Sequence, residues 1–178
     1  MLILVALAVV VATVPLTGGR ITRLATRRFR GVALLVASFV LQLLVVSVLP
    51  DSLHTLSAVL HVASYALAAA FLAVNRWVVG LVVIAIGGAL NAVAIAANGG
   101  EMPASRSAVA SAGLRLSRAH FDNSGLVAHP RFGILGDVFA VPRWLPAHNV
   151  FSVGDVVILL GVGYLVHREC RAPSGAPE

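Results

Sequence analysis

Three carboxylates stand at the ends of apolar runs in the second half of the chain: Glu101 in NGGEMP, Asp137 in LGD and Asp155 in SVGD. The last two repeat a Gly-Asp pair, at 136–137 and 154–155, and His148 lies between them. Carboxylates gathered with an imidazole could bind a cation, or pass a proton as acid and base. A second polar set lies inside the apolar runs themselves: Gln42, His61 and Asn91. A histidine titrates near neutrality, and an ionisable group within a membrane span is a functional candidate by default. With Asn98 added, the candidate ligand-binding residues are Gln42, His61, Asn91, Asn98, Glu101, Asp137 and Asp155. None is singled out as catalytic, because the HExxH, GxSxG, P-loop and CxxC spacings are all missing. The sequence leaves any metal or cofactor unspecified.

Each candidate also has a structural explanation. Ser152 and Asp155 form the S-x-x-D variant of a capping box, and a carboxylate is favoured at a helix N-terminus whatever else it does. In NGGEMP, Asn98 or Gly99 supplies the left-handed residue that ends a helix, and Pro103 prevents its continuation. Helix ending leaves Glu101 unexplained, since a carboxylate at a C-terminus opposes the dipole. Within the spans, Ser, Asn, Gln and His commonly bond across helices. His54, Ser57, His61 and Ser64 recur at spacings of three and four, which is one helix face. Tyr65 flanks that face, and Ser38 and Gln42 repeat the spacing one run earlier.

The elements that must position these groups follow from composition. The 178 residues are 59% hydrophobic and 11% charged, against about 25% charged in an ordinary soluble domain. So much apolar surface cannot be buried in one small core, and the membrane class is the natural reading. Apolar runs at about 1–17, 31–50, 54–74, 77–97 and 152–167 are five candidate spans, to be compared with the roughly 20 residues a bilayer requires. The first run lacks the basic start and small-x-small end of a cleaved signal, so it is expected to be a retained helix. All thirteen basic residues are Arg, and they fall between the runs, which argues against nucleic acid as partner. Arg20, Arg23, Arg27, Arg28 and Arg30 crowd GGRITRLATRRFR, which marks that loop as cytoplasmic. The N-terminus is then outside, the Arg76 connection inside, and 98–151 outside. Counting along each helix, Gln42, His61 and Asn91 lie ~10–12 Å below the outer ends of their spans. They could share an outward-facing polar pocket.

The 98–151 segment reads as ordered. Ser105 is placed as a helix N-cap and Gly113 as a stop, and Trp144 in AVPRWLP suits the headgroup level. Residues 169–178 read as a disordered cytoplasmic tail. The lone Cys170 has no disulfide partner.

LTGGRITRL, NAVAIAANGGEMP, LGD and NVFSVGD, in that order over residues 1–168, resemble a family of small actinobacterial and firmicute membrane proteins catalogued as a domain of unknown function. The resemblance implies a five-helix topology and no activity, substrate or catalytic residues. The reading is therefore an all-α, polytopic protein of the bacterial plasma membrane with a single membrane domain, 1–168. Its leading function is non-catalytic binding of a small ligand or a membrane-protein partner. A small transporter or transporter subunit comes second, and a membrane-embedded enzyme using the outer carboxylates third.

Overall fold

A computed structural model describes residues 2–48, 54–114 and 124–171. Five long helices dominate: α1 (Leu2–Leu16), α2 (Val32–Ser47), α3 (His54–Val74), α4 (Val79–Ala97) and α6 (Val153–Arg171). A 3-10 turn, Ile21–Thr26, follows α1, and a short α5 (Arg106–Ala112) lies in the long connection between α4 and α6. Among the described residues, α4 is the one helix both long and apolar enough to cross a membrane, with a mean hydropathy of 2.3. Shorter apolar stretches occupy Val5–Leu16, Val32–Val45 and Val62–Val74. Residues 169–171, expected in a disordered tail, continue α6, with Arg168 and Arg171 in its last turn, where cations meet the negative dipole end.

The 98–151 segment also departs from an all-α architecture. It holds two two-stranded sheets, β1 (Met102–Pro103) parallel to β2 (Ser124–Gly125), and β3 (Phe139–Val141) antiparallel to β4 (Asn149–Phe151). Strands of two or three residues carry no readable alternation, so long-range backbone pairing creates them. Ser105 caps α5, its hydroxyl accepting the Ala108 N–H at 3.1 Å, and Gly113 ends it in the left-handed region at φ 65°. Ala108, Val109 and Ala112 of α5 pack with Val150 of β4 into a small core, and the Phe139 and Phe151 rings stack at 5.3 Å. The segment thus folds as a cap with its own interior. It is tied to the helices by β1 and by the 3-10 turn Gly133–Leu135, which meets α4 and α6.

The helices sort by their packing. α2 lies along α3, with the buried Ser38 hydroxyl donating to the Ser64 carbonyl at 2.8 Å. α1 lies against α6, where Thr13 and Thr17 each meet one ring nitrogen of His167 at 3.0 Å. α4 and α6 form the closest pair, antiparallel, through two glycine contacts. Gly80 faces Gly161 and Gly87 faces Gly154, two turns apart on each helix. A Cβ on Gly87 would stand 2.6 Å from the Gly154 carbonyl oxygen, and one on Gly80 2.5 Å from Leu165 Cβ. Small residues let helix backbones approach this closely. α4 runs unbroken through Gly87 and Gly88.

Exposure inverts the usual soluble pattern. Phe39 is 61% exposed, Val62 67%, Ile86 53% and Leu160 65%, while Ser64 and Ser152 are fully buried.

The two adjacent glycines give a direct test of the crossing. Gly87→Ala should lower stability by about 1–3 kcal/mol, because rigid backbone on α6 blocks the added methyl. Gly88 faces open space, so Gly88→Ala should be neutral or stabilising by about 0.5–1 kcal/mol. Thermal unfolding of both variants in mild detergent checks this; equal melting temperatures would contradict the packing.

Candidate functional site

The glycine crossing sets where Asn91 stands. One turn beyond Gly87, Asn91 is carried over the N-terminus of α6. There its Nδ2 donates to Asp155 Oδ1 at 2.9 Å, and its Oδ1 accepts the Ser152 hydroxyl at 2.8 Å. Ser152 and Asp155 make the capping box: the Ser152 N–H donates to Asp155 Oδ2 at 2.9 Å, and the Asp155 N–H to Ser152 Oγ at 3.0 Å. The three side chains therefore close a loop in which both Asp155 oxygens and both ends of the Asn91 amide are used. Gly154 belongs to the same unit, since a Cβ there would collide with Asn91 Oδ1.

Asp137 lies near this loop, carried by the cap. Its backbone forms a parallel bridge with Ala104: its N–H donates to the Pro103 carbonyl at 2.9 Å and its carbonyl accepts from Ser105 N–H at 3.0 Å. Its side chain is 4% exposed and accepts a hydrogen bond from Ser124 Oγ. Burial pushes the Asp137 carboxyl above its ordinary value, and the neighbouring Asp155 charge adds to the rise, while the Ser124 hydrogen bond opposes it. A carboxyl shifted in this direction keeps its proton to a higher pH than an ordinary one. Tyr65 of α3 is in electrostatic reach of Asp155 and packs on Ala94, Ile95 and Met102.

The remaining candidates lie elsewhere. Asn98 is not the left-handed residue of its helix end; Gly99 and Gly100 take that conformation, at φ 72° and 97°. The Asn98 amide instead clasps the cap. Its Nδ2 donates to the Ala94 carbonyl at 2.7 Å and the Arg131 carbonyl at 2.8 Å, and its Oδ1 accepts the Arg131 N–H at 2.8 Å. Glu101 is exposed, with its carboxylate over Gly125 of β2. Gln42 is half-buried on α2, which packs on α3, and makes no hydrogen bond to the Asn91 loop. His61 belongs to α3; its side chain, like that of His54, lies outside the described residues. Two members of its helical stripe, Ser57 and Ser64, are buried. Reading the sequence missed Ser124, which the cap fold alone brings to Asp137. It also missed the four crossing glycines, although their matched seven-residue spacing on two runs was visible. Among the described residues, no group of three or more His, Cys, Asp or Glu is placed to hold a metal ion.

Asn91 and Asp155 thus join α4 to α6, and Asn98 clasps the cap loop at Arg131. The family model of unknown function DUF5317 matches residues 26–167. The chain belongs to that family. The match spans α2 to the last turns of α6, so the crossing, the loop and the cap all lie within it. No curated protein and no solved structure matches the chain.

The shift at Asp137 has a definite sign. A carboxyl raised in the folded state contributes stability at low pH and loses it as pH rises through the folded value. Asp137→Asn, which mimics the neutral form and keeps an acceptor for Ser124, should therefore gain on wild type at neutral pH. The gain should shrink on acidification towards about pH 4, near the ordinary carboxylate value. Melting temperatures of the two proteins across pH check this; a difference constant with pH would rule out a raised Asp137. Asn91→Ala leaves Ser152 and Asp155 short of partners inside the protein and should cost about 1–3 kcal/mol.

Proposed function

We propose that the chain is an integral protein of the bacterial plasma membrane that crosses it five times, at about 1–17, 31–50, 54–74, 77–97 and 152–167. Its N-terminus is outside, its C-terminus is cytoplasmic, and it acts without catalysis as a partner-binding protein. The observation that carries the membrane reading is the inverted burial. Large apolar side chains face outward along all the long helices, while Ser38, Ser57, Ser64 and Ser152 are buried. In water, so large an exposed apolar surface favours association; in a bilayer, hydrogen-bonded polar groups inside and apolar groups outside are the expected arrangement. The Arg-rich loop at 18–30 supports the orientation.

The preference for a partner over a small ligand in an outward pocket rests on the Asn91 loop. Its polar groups are occupied by one another, which leaves them little to offer a ligand. The cap meanwhile presents apolar residues outward, with Phe132 59%, Ile134 76% and Trp144 77% exposed. Phe132 is held at φ 51°, a left-handed conformation that costs a non-glycine residue roughly 1–2 kcal/mol. The Asn98 clasp on the adjacent Arg131 supports it there. A rigid, exposed pair of apolar side chains suits a protein surface.

Topology is tested by cysteine labelling in whole cells, with Cys170 replaced by Ser. An impermeant thiol reagent should modify Ser111→Cys in the cap and spare Ala25→Cys until the cells are permeabilised. The reverse pattern would overturn the orientation. For the partner, a photo-crosslinking residue at position 134 should give a discrete adduct that one at the exposed Ser107 does not. Absence of any adduct from positions 132, 134 and 144 would count against partner binding.

A further inference from the structure

At the end of the helices opposite the cap, α2 begins beside the turn that joins α3 to α4. Asn75 builds this junction. Its Oδ1 accepts the Arg30 N–H at 2.9 Å, and its Nδ2 donates to the Arg30 carbonyl and to the Phe71 carbonyl, both at 2.8 Å. Asn75 is buried, so the backbone of Arg30 is pinned beside Arg76, the residue after Asn75 in the chain. Between them is a groove of about 390 Å³ lined by Arg30, Gly31, Leu34, Val74, Arg76 and Trp77.

The groove has three kinds of wall. Arg30 and Arg76 are exposed, and among the described residues neither guanidinium meets a carboxylate. Gly31 starts α2 without a side-chain cap, so the positive end of that helix adds to the same field. Leu34 and Val74 supply an apolar side, and Trp77 is 82% exposed, with the Arg76 guanidinium 4.9 Å from its ring centre. Two arginines lining one groove beside a helix N-terminus suit a phosphate. An exposed Trp at the end of an apolar helix suits the glycerol level of a bilayer.

We propose that this groove binds the headgroup phosphate of an anionic phospholipid, with Arg30 and Arg76 on the phosphate oxygens and Leu34 and Val74 along the start of an acyl chain. The identification of a lipid rests on the membrane reading above, and its placement in the cytoplasmic leaflet rests on the proposed orientation. The apolar wall and Trp77 favour a lipid over free phosphate, which would gain nothing from either.

The test uses the full chain in mild detergent with Trp144→Phe, which leaves Trp77 as the single tryptophan. Titration with short-chain phosphatidylglycerol should shift Trp77 emission saturably. Arg30→Gln and Arg76→Gln should each weaken that binding by about tenfold or more, the usual scale for losing a charge-assisted contact. Arg28→Gln removes the same charge from the same loop outside the groove and should leave binding unchanged. Phosphatidylcholine and inorganic phosphate should each bind more weakly than phosphatidylglycerol. Equal saturation by inorganic phosphate would assign the groove to a free anion and overturn the lipid proposal, as would no saturable shift or an equal loss in Arg28→Gln. Reversed labelling at position 25 with phosphatidylglycerol binding retained would overturn the orientation while leaving the headgroup site in place. Lost binding with the expected labelling would overturn this inference alone.

Discussion

The backbone contact between α4 and α6 is the constraint on which the remaining geometry depends. Glycine at 80, 87, 154 and 161 lets two helices touch main chain to main chain, which fixes their separation and their register together. Once the register is set, Asn91 can stand only over the first turn of α6. The capping box at Ser152 and Asp155 is then completed by a side chain from another helix. A cap that would hold a helix end by itself becomes a joint between two helices, and Asp137 brings the 98–151 segment against it. Wider spacing at the crossing would separate the three side chains and leave each with unfilled hydrogen-bonding capacity, at a cost of about 1–3 kcal/mol per buried group.

Asparagine is used the same way at both ends of the molecule. Asn75 and Asn98 each sit at the C-terminal end of a helix, donate to the carbonyl four residues back, and clasp both backbone groups of an arginine in a connecting segment. An amide suits this role because it presents one acceptor and two donors in a plane. It imitates a strand partner where no strand exists. The two clasps secure the loop before α2 and the cap loop at 131, the two places where irregular chain must lie against helix ends.

The helical runs were legible because hydropathy and length alone define them, and Ser105, Gly113, Ser152 and Asp155 were legible because capping is local. Counting depth put Asn91 with Gln42 and His61 ~10–12 Å below the outer ends of their spans, and gave no sign that its partners are Ser152 and Asp155 at the first turn of α6. Depth carries no information on which helices pair, so it grouped Gln42 with Asn91 although α2 lies along α3. Asn98 and Gly99 were both candidates for the left-handed cap, because asparagine also tolerates that conformation. The glycines after it do so at lower cost, which frees its amide for Arg131. Ser124 and the short strands were illegible for a different reason. Their partners, Asp137 and Met102, are brought to them by the fold of the whole segment rather than by any local pattern.

The crossing also has a consequence for the order of synthesis. α4 is complete about fifty-five residues before α6 begins. At a translation rate of roughly 5–20 residues per second, the glycine face of α4 waits several seconds for its partner. For a chain inserted as proposed, Asn91 spends that interval in the bilayer without Ser152 or Asp155, while the cap is being delivered to the far side. The last helix to emerge is therefore the one that closes the assembly. Until it arrives, α4 keeps open a glycine face suited to grip another helix, with Asn91 one turn beyond it.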